Sequence, residues 1–253
     1  MGRINQSLSW WCYARGGVEP DKLLGVAAKT GYAAVEMLPR ELWSAVFDHG
    51  LKIAIFSGHQ SLSDGLNRPE NHDRIERELR ENIAVAHEFG IPSLICFSGN
   101  RNGCPDEEGA RNCAAGLKRA IGDAEQAGIN LCVELLNSRV DHADYQCDRT
   151  DWGVQMCKLV ESPRAKLLYD IYHMQIMEGD LIRTIRNNIP YIGHFHTAGV
   201  PGRNDMDETQ EIFYPAVMRA IAETGYDLFV GHEFLPKGDT FEAIQAAFKT
   251  CDV

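Results

Sequence analysis

Two short apolar runs in the second half of the chain each end in side chains that can bind a metal or carry a proton. The first, 165–169, leads into Asp170, and His173 follows three residues later. The second, 191–195, carries His194 and is followed by His196. Between them, 180–188 has helical spacing and is closed by Pro190. That order is strand, helix, strand, with polar groups at the carboxyl end of each strand, where parallel α/β barrels build their sites. Two further acids repeat the position: Glu134 within the apolar run 129–136, and Glu233 within 227–234. A glutamate buried in LCVELLN is costly unless it is paired or ligates an ion.

Glu134, Asp170, His196 and Glu233 are separated by 26 to 37 residues. Strand ends that surround one barrel axis would let them converge. Three carboxylates and one imidazole make an oxygen-rich set suited to one divalent ion, Mn²⁺ or Mg²⁺ first, with Zn²⁺ and Co²⁺ also compatible. His194 shares the strand parity of His196 and is expected to support it from deeper in the barrel. His232, next to Glu233, should face the other way and is read as structural. Three residues are candidates for substrate contact at the same mouth. His173 would reach in from a loop, and His59, in SGHQSLSDG, could point inward. Arg203, in AGVPGR, could clamp a carboxylate with two parallel hydrogen bonds. Trp10, Trp11 and Trp43 are read as packing or pocket walls.

The elements that must position these residues read as eight strand–helix pairs. Strands are expected at 3–9, 33–38, 51–56, 93–97, 129–136, 165–170, 191–195 and 227–234. Helices are expected at 19–29, 41–49, 71–89, 107–127, 150–160, 180–188, 214–223 and 241–248. Strands alternating with helices call for a parallel sheet. The count and the length of 253 residues favour a closed (β/α)₈ TIM barrel, one domain spanning 1–253, over an open doubly wound sheet. No GxGxxG or Walker sequence follows any strand, which removes the usual nucleotide-binding readings.

Composition narrows the partners. Hydrophobic residues at 44% and charged residues at 24% describe a globular chain with apolar mass for a large core. No apolar run approaches the roughly 18–20 residues of a membrane helix, and MGRINQSLSWW has none of the layers of a signal peptide. Met1-Gly2 is a weak myristoylation cue, and Gln6 stands where that motif wants Ser or Thr. The net charge of −11 argues against a nucleic-acid partner. The eight cysteines include no CxxC pair, so a zinc knuckle is not expected, and they read as reduced thiols of a cytoplasmic protein. A homo-oligomer is compatible with all of this.

The stretch YDIYHMQIMEGDLIRTIRNNIPYIGH, followed by VPGR and GYDLFVGHEFLPKGD, closely resembles the hydroxypyruvate isomerase family. GHQSLSDGLN and VELLNSR are similar to it too. That family lies within the wider group of xylose-isomerase-like barrels, with sugar 3-epimerases and an apurinic endonuclease. The resemblance implies a metal site at Glu134, Asp170, His196 and Glu233, with the two glutamates as the acid/base pair. It also places His173 and Arg203 at substrate-contacting positions. One departure stands out. Family members usually read His-[Ile/Val]-Gln where this chain reads His194-Phe195-His196, so a glutamine ligand becomes histidine, as in the ketose 3-epimerases. The expected activity is isomerisation of a small hydroxycarbonyl compound, hydroxypyruvate to tartronate semialdehyde. A ketose 3-epimerase is the alternative enzyme, and a sugar-binding barrel without turnover the alternative of another class.

Overall fold

The structure, a computed structural model, describes residues 4–253. Arg3, expected to begin the first strand, and the Met1-Gly2 pair lie outside the described residues. In chain order the elements are β1 (Asn5–Ser9), α1 (Trp10–Tyr13), α2 (Pro20–Thr30), β2 (Ala34–Glu36), α3 (Trp43–Asp48), β3 (Lys52–Ile53), β4 (Ile55–Ser57), α4 (His72–Phe89), β5 (Ser93–Cys96), α5 (Asp106–Lys118), α6 (Ile121–Ala127), β6 (Asn130–Glu134), α7 (Thr150–Val160), β7 (Ala165–Asp170), α8 (Ile171–Met177), α9 (Leu181–Asn188), β8 (Ile192–Thr197), α10 (Tyr214–Glu223), β9 (Phe229–His232) and α11 (Thr240–Cys251).

The nine strands form one sheet in the order β3-β2-β1-β9-β8-β7-β6-β5-β4. The two ends of that order, β3 and β4, are separated in the chain by Ala54 alone, so the order returns to where it began. This is a nearly closed α/β barrel. The expected strand at 51–56 is therefore two short strands, which is why nine are present and not eight. Contacts along the chain divide it into two compact units. One gathers the chain up to Phe56, Asp180–Ile189 and Phe195–Val253; the other gathers Ser57–Gly179 and Pro190–His194.

In the first unit β1 pairs in parallel with β2 and with β9, placing Ser7 opposite Ala34 on one side and Gly231 on the other. β8 pairs with β9, with His196 opposite Gly231. The helix α2 starts at Pro20, whose fixed φ suits a first turn, and ends at Gly31 with φ +114°. A side chain there would also meet the ring of Phe248. The Asp239 carboxylate caps α11 by accepting the Phe241 and Glu242 N–H groups.

In the second unit β5 pairs with β6, and β6 with β7, again in parallel. Every residue of β5 and β6 is buried, as in a sheet covered on both faces. One cover is α4, which buries Ile75, Leu79, Ile83 and Ala86 at helical spacing and stops at the left-handed Gly90. The expected helix 107–127 is two helices, α5 and α6, joined through Arg119 and Ala120. The segment after Asp170, expected as loop, is helix α8. Among the described residues no helix is long and apolar enough to cross a membrane.

Candidate functional site

In the second unit the strand ends carry two buried carboxylates. Glu134 is the last residue of β6 and Asp170 the last of β7. The register places Glu134 opposite Leu168, two residues short of Asp170. The backbone of Glu134 is fixed by Tyr145, whose O–H donates to the Glu134 carbonyl (3.0 Å) while accepting the Ser98 N–H (3.0 Å). Asp170 is also the N-cap of α8: its Oδ1 accepts the His173 N–H at 3.0 Å. The sequence signal for that helix is this acid, an N-cap residue type as well as a metal-ligand type.

His173 is therefore held by a helix, not by a loop, and is buried. The Asn137 amide donates to its Nδ1 (2.6 Å), which leaves the proton of the neutral ring on Nε2, 3.6 Å from Asp170 Oδ2. Asn137 is itself locked, since its Oδ1 accepts the N–H groups of Val140 and Asp141. His59 is buried too, and backbone engages both of its ring nitrogens. Nε2 accepts the Phe97 N–H (2.9 Å), so Nδ1 carries the proton that goes to the Gln60 carbonyl (3.0 Å). Burial lowers its pKa, in keeping with a neutral ring.

In the first unit His196, on β8, and Glu233, directly after β9, come together: His196 Nδ1 is 3.2 Å from Glu233 Oε2. The Glu233 N–H donates to the Thr197 carbonyl (2.9 Å), continuing the β8–β9 ladder and aiming the side chain. Glu233 Oε1 accepts the Trp11 indole N–H at 2.8 Å, and Oε2 accepts from Arg203. Burial pushes the Glu233 carboxyl pKa up. The neighbouring His196 and Arg203, with the Trp11 hydrogen bond, outweigh this and hold it well below the usual carboxylate range. These surroundings favour the ionised form of Glu233.

Arg203 is not an exposed loop residue: its side chain is only 17% exposed. Its backbone is left-handed (φ 56°), with its N–H on the Gly199 carbonyl and its carbonyl accepting the Leu235 N–H. Its guanidinium lies over the Trp11 ring at 5.5 Å, and that of Arg15 lies over the same ring at 5.2 Å. Trp11, read from sequence as packing or pocket wall, is a hydrogen-bond donor to Glu233. His232 is buried between the Thr197 hydroxyl and the Gln6 amide oxygen, at 2.7 Å each. Burial brings its pKa down to about 3.

Glu36 is the residue that sequence reading passed over. It ends β2 fully buried, accepts the Ser7 hydroxyl on Oε2 (2.7 Å), and places Oε1 2.9 Å from His196 Nε2. Its only sequence signal is an acid closing a three-residue apolar strand. Both units thus hold buried carboxylates and imidazoles of a kind that could bind a metal ion.

Residues 24–251 match the family described as Xylose isomerase-like TIM barrel, and the chain belongs to that family. It is 36% identical over 236 residues to the 2-oxo-tetronate isomerase of Cupriavidus necator, covering 85% of this chain and 86% of that protein. It is 28% identical over 263 residues to the Homo sapiens protein named "Putative hydroxypyruvate isomerase", covering 96% and 92%. Among solved structures, one described as an AP endonuclease of family 2 from Brucella melitensis superposes with a TM-score of 0.82 at 25% identity, covering 96% and 97%.

Proposed function

We propose that the chain is a metal-dependent isomerase of a small hydroxycarbonyl acid, with hydroxypyruvate to tartronate semialdehyde as the leading case. Glu134, Asp170, His196 and Glu233 would hold one divalent ion. One observation carries this reading: His196 and Glu233 are buried together, with His196 Nδ1 3.2 Å from Glu233 Oε2. The donor set fits a cation. Carboxylates as buried as those of Glu134, Asp170 and Glu233 remain poorly solvated unless positive charge joins them. The names of the relatives support an isomerase of a short oxo acid.

A divalent ion held by these residues would supply positive charge to stabilise a developing enediolate. The rest falls to the chain. One glutamate takes the proton from the carbon bearing the hydroxyl, and a proton returns to the adjacent carbon from the other. The hydroxyl proton passes to the former carbonyl oxygen, so substrate and product have the same composition. Glu233 suits the first role, since its surroundings favour the ionised form. Arg203, mostly buried and fixed at its backbone, would hold the substrate carboxylate, and the His173 Nε2–H would reach a substrate oxygen. His59 contributes by holding the loop after β5, because backbone occupies both of its ring nitrogens.

A second reading, ketose 3-epimerase, is favoured by His196 standing where hydroxypyruvate isomerases usually carry glutamine. An endonuclease reading is weakened by the net charge of −11, which repels a phosphate backbone. The deciding experiment assays hydroxypyruvate, tetruloses and hexuloses with Mn²⁺, Mg²⁺ and Co²⁺, and follows deuterium uptake from solvent. Conversion of hydroxypyruvate is the expected result. Turnover of ketoses alone would move the assignment to the epimerase. Neither conversion nor deuterium uptake with any ion would leave a binding barrel.

A further inference from the structure

Glu36 lies outside the four proposed ligands, yet its surroundings are built around its carboxylate. Ser7, on the neighbouring strand β1, donates its hydroxyl to Oε2 at 2.7 Å. Gly231, opposite both Ser7 and His196 in the β1–β9–β8 register, leaves the space the carboxylate fills. A Cβ at position 231 would meet Glu36 Oε1 at 2.2 Å and Oε2 at 2.7 Å. Oε1 lies 2.9 Å from His196 Nε2. The other ring nitrogen, Nδ1, points to the Glu233 side, 3.2 Å from Oε2.

We propose that Glu36 is a positioning residue: its carboxylate, 2.9 Å from His196 Nε2, holds the ring so that Nδ1 is the nitrogen turned toward Glu233 and available to an ion. A carboxylate on the far nitrogen of a ligating histidine fixes both the ring plane and the proton's place, and makes the free nitrogen a better donor. Ser7 aims the carboxylate, and Gly231 is glycine because its side-chain volume belongs to Glu36. This inference rests on the metal reading above and goes beyond it, since Glu36 itself is not asked to ligate.

The test is isothermal titration of the full chain with MnCl₂, with circular dichroism to establish that each variant is folded. Glu36→Leu removes the acceptor, and Glu36→Gln keeps an acceptor oxygen without the charge. Glu36→Leu should weaken Mn²⁺ binding by about 10–100-fold, the usual effect of removing such a support, and Glu36→Gln should recover a substantial part of it. Gly231→Ala keeps Glu36 but drives its carboxylate off the ring, and should weaken Mn²⁺ binding as well; it serves if Glu36→Leu fails to fold. Equal affinity in wild type, Glu36→Leu and Gly231→Ala would overturn the role of Glu36 while leaving the metal reading intact. A Glu36→Gln loss as large as that of Glu36→Leu would also overturn it, by showing that an oxygen at this place does not hold the ring. No Mn²⁺ binding by wild type would overturn the metal reading and this inference with it.

Discussion

Trp11→Phe isolates one hydrogen bond at the proposed catalytic base. The indole N–H donates to Glu233 Oε1 at 2.8 Å, while the ring lies beneath the guanidinium groups of Arg203 and Arg15. Phenylalanine keeps an aromatic face for both cations and removes only the donor. A hydrogen bond to a charged group is worth about 1.5–3 kcal/mol. Trp11 is half-buried, so water can partly replace the lost donor, and the lower end of that range applies. About 1.4 kcal/mol corresponds to tenfold in rate. The expected loss is therefore about tenfold in kcat, with KM little changed. The pH profile carries a second signature. The Trp11 hydrogen bond is one of the interactions that hold the Glu233 pKa down against burial. Removing it raises that pKa, a larger share of Glu233 is protonated in acid, and the acid limb of kcat/KM moves to higher pH. Steady-state assays across pH on the substrate found by the panel, with thermal melts as a folding control, read both effects. An unchanged kcat together with an unmoved acid limb would refute the idea that this bond tunes a base.

Glu134→Gln and Glu233→Gln should each lower turnover by about 10²–10⁴-fold, the usual worth of a general base, while leaving the fold intact; either variant retaining a tenth of wild-type activity would remove that residue from the acid/base pair. Arg203→Lys loses the planar fork that matches a carboxylate, so KM for hydroxypyruvate should rise steeply and KM for a neutral ketose much less. Equal effects on both substrates would reject the carboxylate clamp. His232 predicts a stability effect. Its pKa falls from 6.5 to about 3 on folding, chiefly through burial. Between those values the unfolded chain binds the extra proton, so stability drops as pH falls below about 6.5, by up to about 1.4 kcal/mol per pH unit from this group. Urea denaturation of wild type and His232→Gln across that window should show a flatter dependence in the variant. Identical slopes would mean that His232 is not the group responsible.

Local sequence determined the alternation of elements and the stations of the chemistry-bearing residues. Apolar strand runs, helical spacing and stop signals such as Gly90 act within a few residues, so β7, α4, α7 and α10 lie where the sequence puts them, while β6 ends at Glu134, two residues before the expected 136. The same local pattern leaves Glu134 and Asp170 at the ends of their strands and Glu233 one step beyond β9. Finer local detail was harder to read. The break at Ala54 interrupts an unbroken apolar run, and α8 is announced only by Asp170 acting as its cap. What tertiary structure alone decided is partnership. Glu36 closes a three-residue strand with nothing local to distinguish it from a surface acid. Its importance arises because register sets Ser7 and His196 opposite Gly231, residues 7, 196 and 231 of the chain. Trp11 reaches Glu233 across 222 positions. Hydrogen bonds between strands so far apart follow from sheet register and from the volume left by one glycine, and no periodicity within any single segment encodes them.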